Sequence, residues 1–313
     1  MYIYAETAFH HEGDKNYLLK LVDEAKKAGV DGVKFQVLID LDDFMSTRHS
    51  SYSDAKGWVL SMEDWREVFL YTRKLGLDII LMPLDLEAFT LLSEFDVKYM
   101  EIHSVSFKDT DLLVETEKYR IPLILGVGGR TREEVEHLIM RFSNRDIILM
   151  VGFQAFPSKV DDVNIGKIRQ LKKMYKGCVI GYADHSAFDD PMAISSNEYA
   201  YILGARVFEK HISVNEGEER IDFQSAVSAA TITKIRNNLL YIEGLELERS
   251  EDIFSMNDKE VAYRSRQKTP VAIKDLAEGV SVDEKDFCLK MIDSDQKIED
   301  LGPILGKRLK IKI

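Results

Sequence analysis

Cysteine and proline are scarce, with 2 and 6 copies in 313 residues. Cys178 and Cys288 form neither a redox pair nor a metal-ligand spacing, so nothing supports a disulfide framework and a reducing cytoplasm is expected. Clustered positive charge is also missing: the formal net charge is −12, which argues against a nucleic-acid partner, because a phosphate backbone demands Lys and Arg gathered on one face. No window reaches the roughly 18 apolar residues of a spanning helix. The opening MYIYAETAFHHEGDK has neither the basic start nor the apolar stretch of a secretion signal, so a soluble, cytoplasmic chain is expected, with no membrane partner. What remains is an ordinary globular composition, 45% hydrophobic and 31% charged, long enough to bury a large core.

Short apolar runs rich in β-branched residues alternate with longer amphipathic ones. YIYAE (2–6) leads into KNYLLKLVDEAKKAG, where Leu18, Leu19, Leu21, Val22 and Ala25 recur at helical spacing, and DGVKFQ (31–36) reads as the next strand. After a polar insertion at 40–60 the pattern predicts helix 62–75, strand 78–82, helix 85–95, strand 97–102, helix 109–119 and strand 122–126. It continues with helix 131–142, strand 146–151, helix 163–175, strand 178–182, helix 190–203, strand 206–211 and helix 222–243. Eight strands buried on both faces, each followed by a helix, within about 240 residues imply a closed (β/α)8 barrel, the TIM barrel, over residues 1–244. A doubly wound sheet is the alternative, but AETAFHHEG supplies no Gly-rich phosphate turn after strand one. Residues 245–262 are acidic and irregular, a linker by composition. Residues 263–313 read as short strands and turns of a small β-rich domain.

In such a barrel the polar residues at the C-terminal strand ends converge on one mouth. They are Glu6, Lys34 and Gln36, Glu101 and His103, Asp184 and His185, and Glu209, Lys210 and His211. His185 and His211 end adjacent strands, so their imidazoles would share one side of the mouth. Two neutral imidazoles suit Mn, Fe, Co, Ni or Zn, and oxygen ligands in the other positions lean toward the harder ions. Each is equally readable as a hydrogen-bonded strand-end histidine. Lys34, in GVKF, emerges inside the barrel and needs an anion, either a ligand or Glu6. Glu6 itself reads as metal ligand, as acid or base, or as a plain counter-charge to Lys34. The GVGGR turn (126–130) could cradle an anion beside Arg130, although glycines after a strand are ordinary turn punctuation. In HHEGD (10–14), Asp14 reads as a helix N-cap and the remainder as a loop.

Four motifs in order resemble the sialic acid synthases, N-acetylneuraminate synthase and its relatives. AETAFHHEGD resembles that family's E-I-G-x-N-H-x-G, VKFQ its V-K-x-Q, GYADHS its G-x-S-D-H and FEKHIS its E-[KR]-H-F-T. The C-terminal segment resembles the antifreeze-like (SAF-type) domain that follows the barrel in that family. The resemblance implies a transferase: metal-dependent, aldol-type condensation of phosphoenolpyruvate with an N-acyl hexosamine, giving a nine-carbon 2-keto sugar acid. It implies a divalent ion, typically manganese, at His185 and His211, with Glu6 and Lys34 catalytic. It implies substrate contacts from Asp222, Ser104, Gln154, Arg130 and Asp184, and a domain-swapped homodimer.

The chain departs from the family at a set of positions. Glu101 stands where the family has a second phosphoenolpyruvate lysine. Leu81-Met82-Pro83 replaces S-T-P, Gly126-Val127-Gly128 replaces S-T-G, and Ala183 replaces the serine of S-D-H. Gln154 and Phe156 replace the sugar-touching asparagine and tyrosine, and Met291 the arginine of K-R-P. Each lost charge-assisted hydrogen bond is worth roughly 1.5–3 kcal/mol, so two other readings stay open. One is a metal-dependent aldolase or lyase using an unphosphorylated 2-keto acid; the other is a non-catalytic sugar-binding homologue.

Overall fold

The structure is a computed structural model that describes residues 1–152, 155, 157–246, 252–293 and 298–313. The chain divides into two compact units, Met1–Leu247 and Glu248–Ile313.

In the first unit eight strands close into a barrel in sequence order: β1 (Tyr2–Glu6), β2 (Gly32–Val37), β3 (Asp78–Pro83), β4 (Tyr99–Ile102), β5 (Leu123–Gly126), β6 (Ile147–Gly152), β7 (Val179–Asp184) and β8 (Val207–His211). Every neighbouring pair is parallel, and β8 returns to β1 with Glu6 in register with His211. The helices are α1 (Lys15–Ala28), α2 (Leu41–Phe44), α3 (Tyr52–Ala55), α4 (Met62–Lys74), α5 (Thr110–Glu117), α6 (Arg132–Arg141), α7 (Val160–Val163), α8 (Lys167–Met174), α9 (Met192–Leu203) and α10 (Ala229–Glu246). Local chemistry sets their ends. Asp14 caps α1 by accepting from the N–H groups of Asn16 and Tyr17, and Gly29 closes it at φ 70°. Capping boxes start α4 (Ser61, Asp64) and α6 (Thr131, Glu134).

Several expected helices are shorter or different. The segment 85–95 holds a 3-10 helix, Glu87–Ser93, because the buried Asp85 carboxylate takes the N–H groups of Ile39, Asp40 and Ala88, tying this turn to the exit of β2. Segment 163–175 gives the shorter α8, which Asn164 at φ 46° separates from α7 just before it. Segment 222–243 begins as a 3-10 turn, Phe223–Ser225, before α10. The polar insertion 40–60 carries α2 and α3.

Side chains of alternating strand positions form two cores. The outward set packs under the helices, with Phe35, Phe208 and Leu149 fully buried. The inward set, including Tyr4, Ile80, Ile124, Ile148 and Val207, plugs the barrel below its mouth. Plugging the lower layers leaves only the C-terminal strand ends for chemistry.

In the second unit β9 (Thr269–Ala272) pairs antiparallel with β10 (Phe287–Lys290), and α11 (Asp258–Arg264) precedes them. The helix α11, capped by an Asn257–Glu260 box, begins inside the stretch 245–262 read from composition as a linker and ends beyond it, which corrects that reading. Among the described residues, no helix is long and apolar enough to cross a membrane.

Candidate active site

The inward positions at the strand ends line a cavity of about 50 Å3, with Glu6, Lys34, Gln36, Glu101, His103, His185, Glu209 and His211 as its polar wall. The apolar remainder comes from Met82, Gly126, Met150, Gly152 and Ala183.

Lys34 is 3% exposed, and its Nζ meets three carboxylates: Glu6 Oε2 at 2.6 Å, Glu209 Oε2 at 2.7 Å and Glu101 Oε2 at 2.9 Å. The anion expected beside Lys34 is therefore supplied by the protein, three times over. Burial works against the ammonium, but Glu101 and Glu209 outweigh it and hold the Lys34 pKa above its ordinary value. The carboxylates are not equivalent. Burial pushes Glu101 up to about 7, with Lys34 opposing and Glu209 adding to the rise. Burial also acts on Glu209, yet Lys34 and the Tyr4 hydroxyl, donating at 2.6 Å, leave that group below its usual range. Glu6 Oε1 accepts from Gln36 Nε2 at 2.9 Å and from the Ala8 N–H at 3.2 Å. Glu6 is thus aimed by strand two and by its own loop.

His185 and His211 face each other across β7 and β8, ring centroids 5.0 Å apart. With Glu209 they form a buried group whose ligand atoms all lie within 4.8 Å of one another. Burial lowers His185 to about 4 and, with His185 adding its charge, lowers His211 well below the ordinary histidine value. Both imidazoles are therefore neutral at physiological pH, the form that binds metal, and the carboxylate beside them is ionised. Two neutral nitrogens and one anionic oxygen fit a divalent transition ion in donor type and in spacing.

The other expected site residues scatter. Asp184 points away from the cavity, which corrects its expected substrate contact: on a strand, neighbours of inward Ala183 and His185 must face outward. There it is about 1% exposed and accepts from Lys210 Nζ at 2.8 Å and Ser186 Oγ at 2.6 Å, closing β7 against β8. Burial opposes its ionisation, but Lys210 and Ser186 hold its pKa below the usual range. Ser104 sits on the turn after β4, with its backbone N 4.0 Å from the place a Cβ on Gly126 would take. Arg130 lies over the Phe107 ring at 5.9 Å and 3.9 Å from Glu134, lining a separate groove with Thr131, Lys167 and Tyr175. Asp222 adopts φ 63° after Ile221, whose carbonyl lies 2.8 Å from His10 Nδ1, and burial raises its pKa. It is not part of the cavity wall. Gln154 and Phe156 lie outside the described residues. His10 and His11 are buried but join no metal-holding group among the described residues.

Glu209 and Glu101 are counted by sequence among the residues of the mouth, but neither is given a metal-holding or charge-pairing role there. The signal was present in the strand period: residues two apart share a face, so Glu209 must accompany His211, and Glu101 must accompany His103.

Comparison with known proteins follows this geometry. The model of the NeuB family matches residues 21–246. An uncharacterized protein of Methanocaldococcus jannaschii is 28% identical over 312 residues, covering 99% of this chain and 90% of its own length. The N-acetylneuraminate-9-phosphate synthase of Drosophila melanogaster is 24% identical over 348 residues, covering 99% of this chain and 92% of its own length. The solved N-acetylneuraminic acid (sialic acid) synthetase of Leptospira borgpetersenii, in complex with citrate, shares the fold at a TM-score of 0.74 and 23% identity, covering 84% of this chain and 90% of that one. The family match runs from within α1 to the end of α10 and takes in seven of the eight barrel strands, with Lys34, Glu101, His185, Glu209 and His211, and the chain belongs to the NeuB family.

Proposed function

We propose that the barrel mouth carries out a metal-assisted, aldol-type C–C bond formation that extends a sugar aldehyde into a 2-keto sugar acid. The observation that carries this reading is the convergence of His185, Glu209 and His211, with ligand atoms within 4.8 Å, at the C-terminal mouth of a NeuB-family barrel. In the resembling family the donor is phosphoenolpyruvate and the acceptor an N-acyl hexosamine.

The chain's own residues divide the work. His185, His211 and Glu209 would hold a divalent ion, manganese being the one that the family resemblance implies. When bound, such an ion supplies Lewis acidity toward a carbonyl oxygen. Glu6, fixed by Gln36 and the Ala8 N–H and in register with His211, is placed to exchange a proton with the reacting carbon or water. Lys34 draws the three carboxylates together and orients them. The small second unit, read as antifreeze-like, would cover the mouth of a partner copy in a domain-swapped dimer. Its exposed Ile253, Phe254 and Tyr263 support a surface that is covered in an assembly. Two free cysteines are compatible with a cytoplasmic setting.

Metal content tests the reading. The purified chain should retain close to one manganese per copy by mass spectrometry, and His185→Ala and His211→Ala should each lower retention at least tenfold at equal folded content. Unchanged retention in either variant would remove the metal from this site.

A further inference from the structure

We infer that this site takes its three-carbon donor as an unphosphorylated 2-keto acid of the pyruvate class rather than as an enol phosphate. The inference rests on the metal-assisted aldol reading above and narrows its substrate.

The charge of the cavity carries it. Among the described residues that line the cavity, Lys34 is the sole ammonium or guanidinium, and it is already bonded to Glu6, Glu209 and Glu101 at 2.6–2.9 Å. Arg130 is turned toward Phe107 and Glu134 instead. With all three carboxylates ionised, they and the Lys34 ammonium sum to −2, which one divalent ion would cancel. Protonation of Glu101 would still leave Lys34 between two carboxylates at 2.6 and 2.7 Å.

A 2-keto acid brings one negative charge, and its oxygens are of the donor type that an ion held by His185, Glu209 and His211 would accept. A phosphate ester adds about −1.5 to −2 more, together with oxygens that require several donors. The apolar part of the lining, Met82, Gly126, Met150, Gly152 and Ala183, presents no side-chain hydrogen-bond donor.

The addition balances without phosphate. One C–H bond of the keto acid's methyl group breaks, and the proton passes to a cavity carboxylate. The carbon so exposed forms the new C–C bond to the aldehyde carbon. The carbonyl π pair becomes an alkoxide, which takes that proton back. Nothing leaves and no water is consumed, so the product is a 4-hydroxy-2-keto acid.

Calorimetric titration of the full-length, manganese-loaded chain with pyruvate and with phosphoenolpyruvate tests this. Pyruvate should bind at least tenfold more tightly, and Glu101→Lys should shrink or reverse that ratio. In parallel, proton NMR with pyruvate and N-acetylmannosamine should show loss of the methyl signal with no release of inorganic phosphate from added phosphoenolpyruvate. Equal or tighter binding of phosphoenolpyruvate by the unaltered chain overturns the inference, as does the absence of binding by either acid. Phosphate release by a metal-retaining chain would leave the aldol reading standing and remove only the pyruvate-class donor. Loss of metal retention would instead remove the aldol reading, while the ratio of the two affinities still decides the donor.

Discussion

Lys34 shows how a single buried charge organises this site. An ammonium 3% exposed is costly alone, and three carboxylates packed together are costlier still; each makes the other tolerable. The imidazoles nearby are held neutral by burial, which makes folding sensitive to acid. His11 and His185 titrate near 4 when folded, against 6.5 for an ordinary histidine. Between those values the unfolded chain binds more protons, so stability rises with pH through that window and is lost as pH falls, by up to about 3 kcal/mol per histidine. Glu101, raised to about 7, has the opposite sign: it binds its proton earlier in the folded chain and returns a similar amount on acidification. It offsets one histidine, leaving the other uncompensated and His103, also near 4, acting in the same sense. The metal-free protein should therefore lose about 3 kcal/mol or more of unfolding free energy between pH 7 and 4.5, measured by urea denaturation. A flat or rising profile would count against neutral buried histidines.

At the scale of elements, the strand period sorts the motif residues. In β7 and its continuation, Ala183 and His185 face the cavity, while Asp184 faces out to bind Lys210 of β8. The same alternation puts Glu209 and His211 inside and Lys210 outside. Glycines at the mouth mark how closely the strands' side chains fit. A Cβ on Gly152 would stand 3.2 Å from both Cβ and O of Ala183 and 3.7 Å from His185 Cε1, whereas on Gly126 its nearest neighbour would be Glu101 Oε1 at 3.9 Å. Gly152→Ala should therefore press on Ala183, two residues before His185, and cost about 1–3 kcal/mol with some loss of metal retention, while Gly126→Ala should change stability by less than about 1 kcal/mol. Denaturant midpoints and metal content of the two variants check the contrast. Equal effects would mean that the mouth relaxes around either methyl group.

For the whole molecule, metal binding and folding should be linked, because His185, Glu209 and His211 come together only when β7 and β8 pair. At manganese concentrations a hundredfold above the dissociation constant, the folded barrel gains about 2.7 kcal/mol, which for a unit of this size raises the thermal midpoint by about 5–10 °C. Scanning calorimetry with and without manganese reads this directly, and His211→Ala should abolish the shift. A shift that persists in that variant would place the ion elsewhere. Much of this architecture is written locally. Eight apolar strands alternating with amphipathic helices require a closed parallel barrel, Asp14 announces the start of α1, and strand-end histidines announce a mouth. The helix expected at 85–95 shortened because Asp85 bonds to residues about forty-five positions away, a partner that no local pattern contains. The sequence by itself determined the fold, the mouth and the histidine pair, since these follow from period, hydrophobicity and strand order. Only the tertiary structure decided which charges meet: that Lys34 is held by Glu6, Glu101 and Glu209 rather than left for a ligand, that Glu209 completes the metal group, and that Asp184 turns away. The physical reason is that electrostatics in a closed barrel depends on distances between residues far apart in the chain, and those distances exist only once β8 has paired with β1.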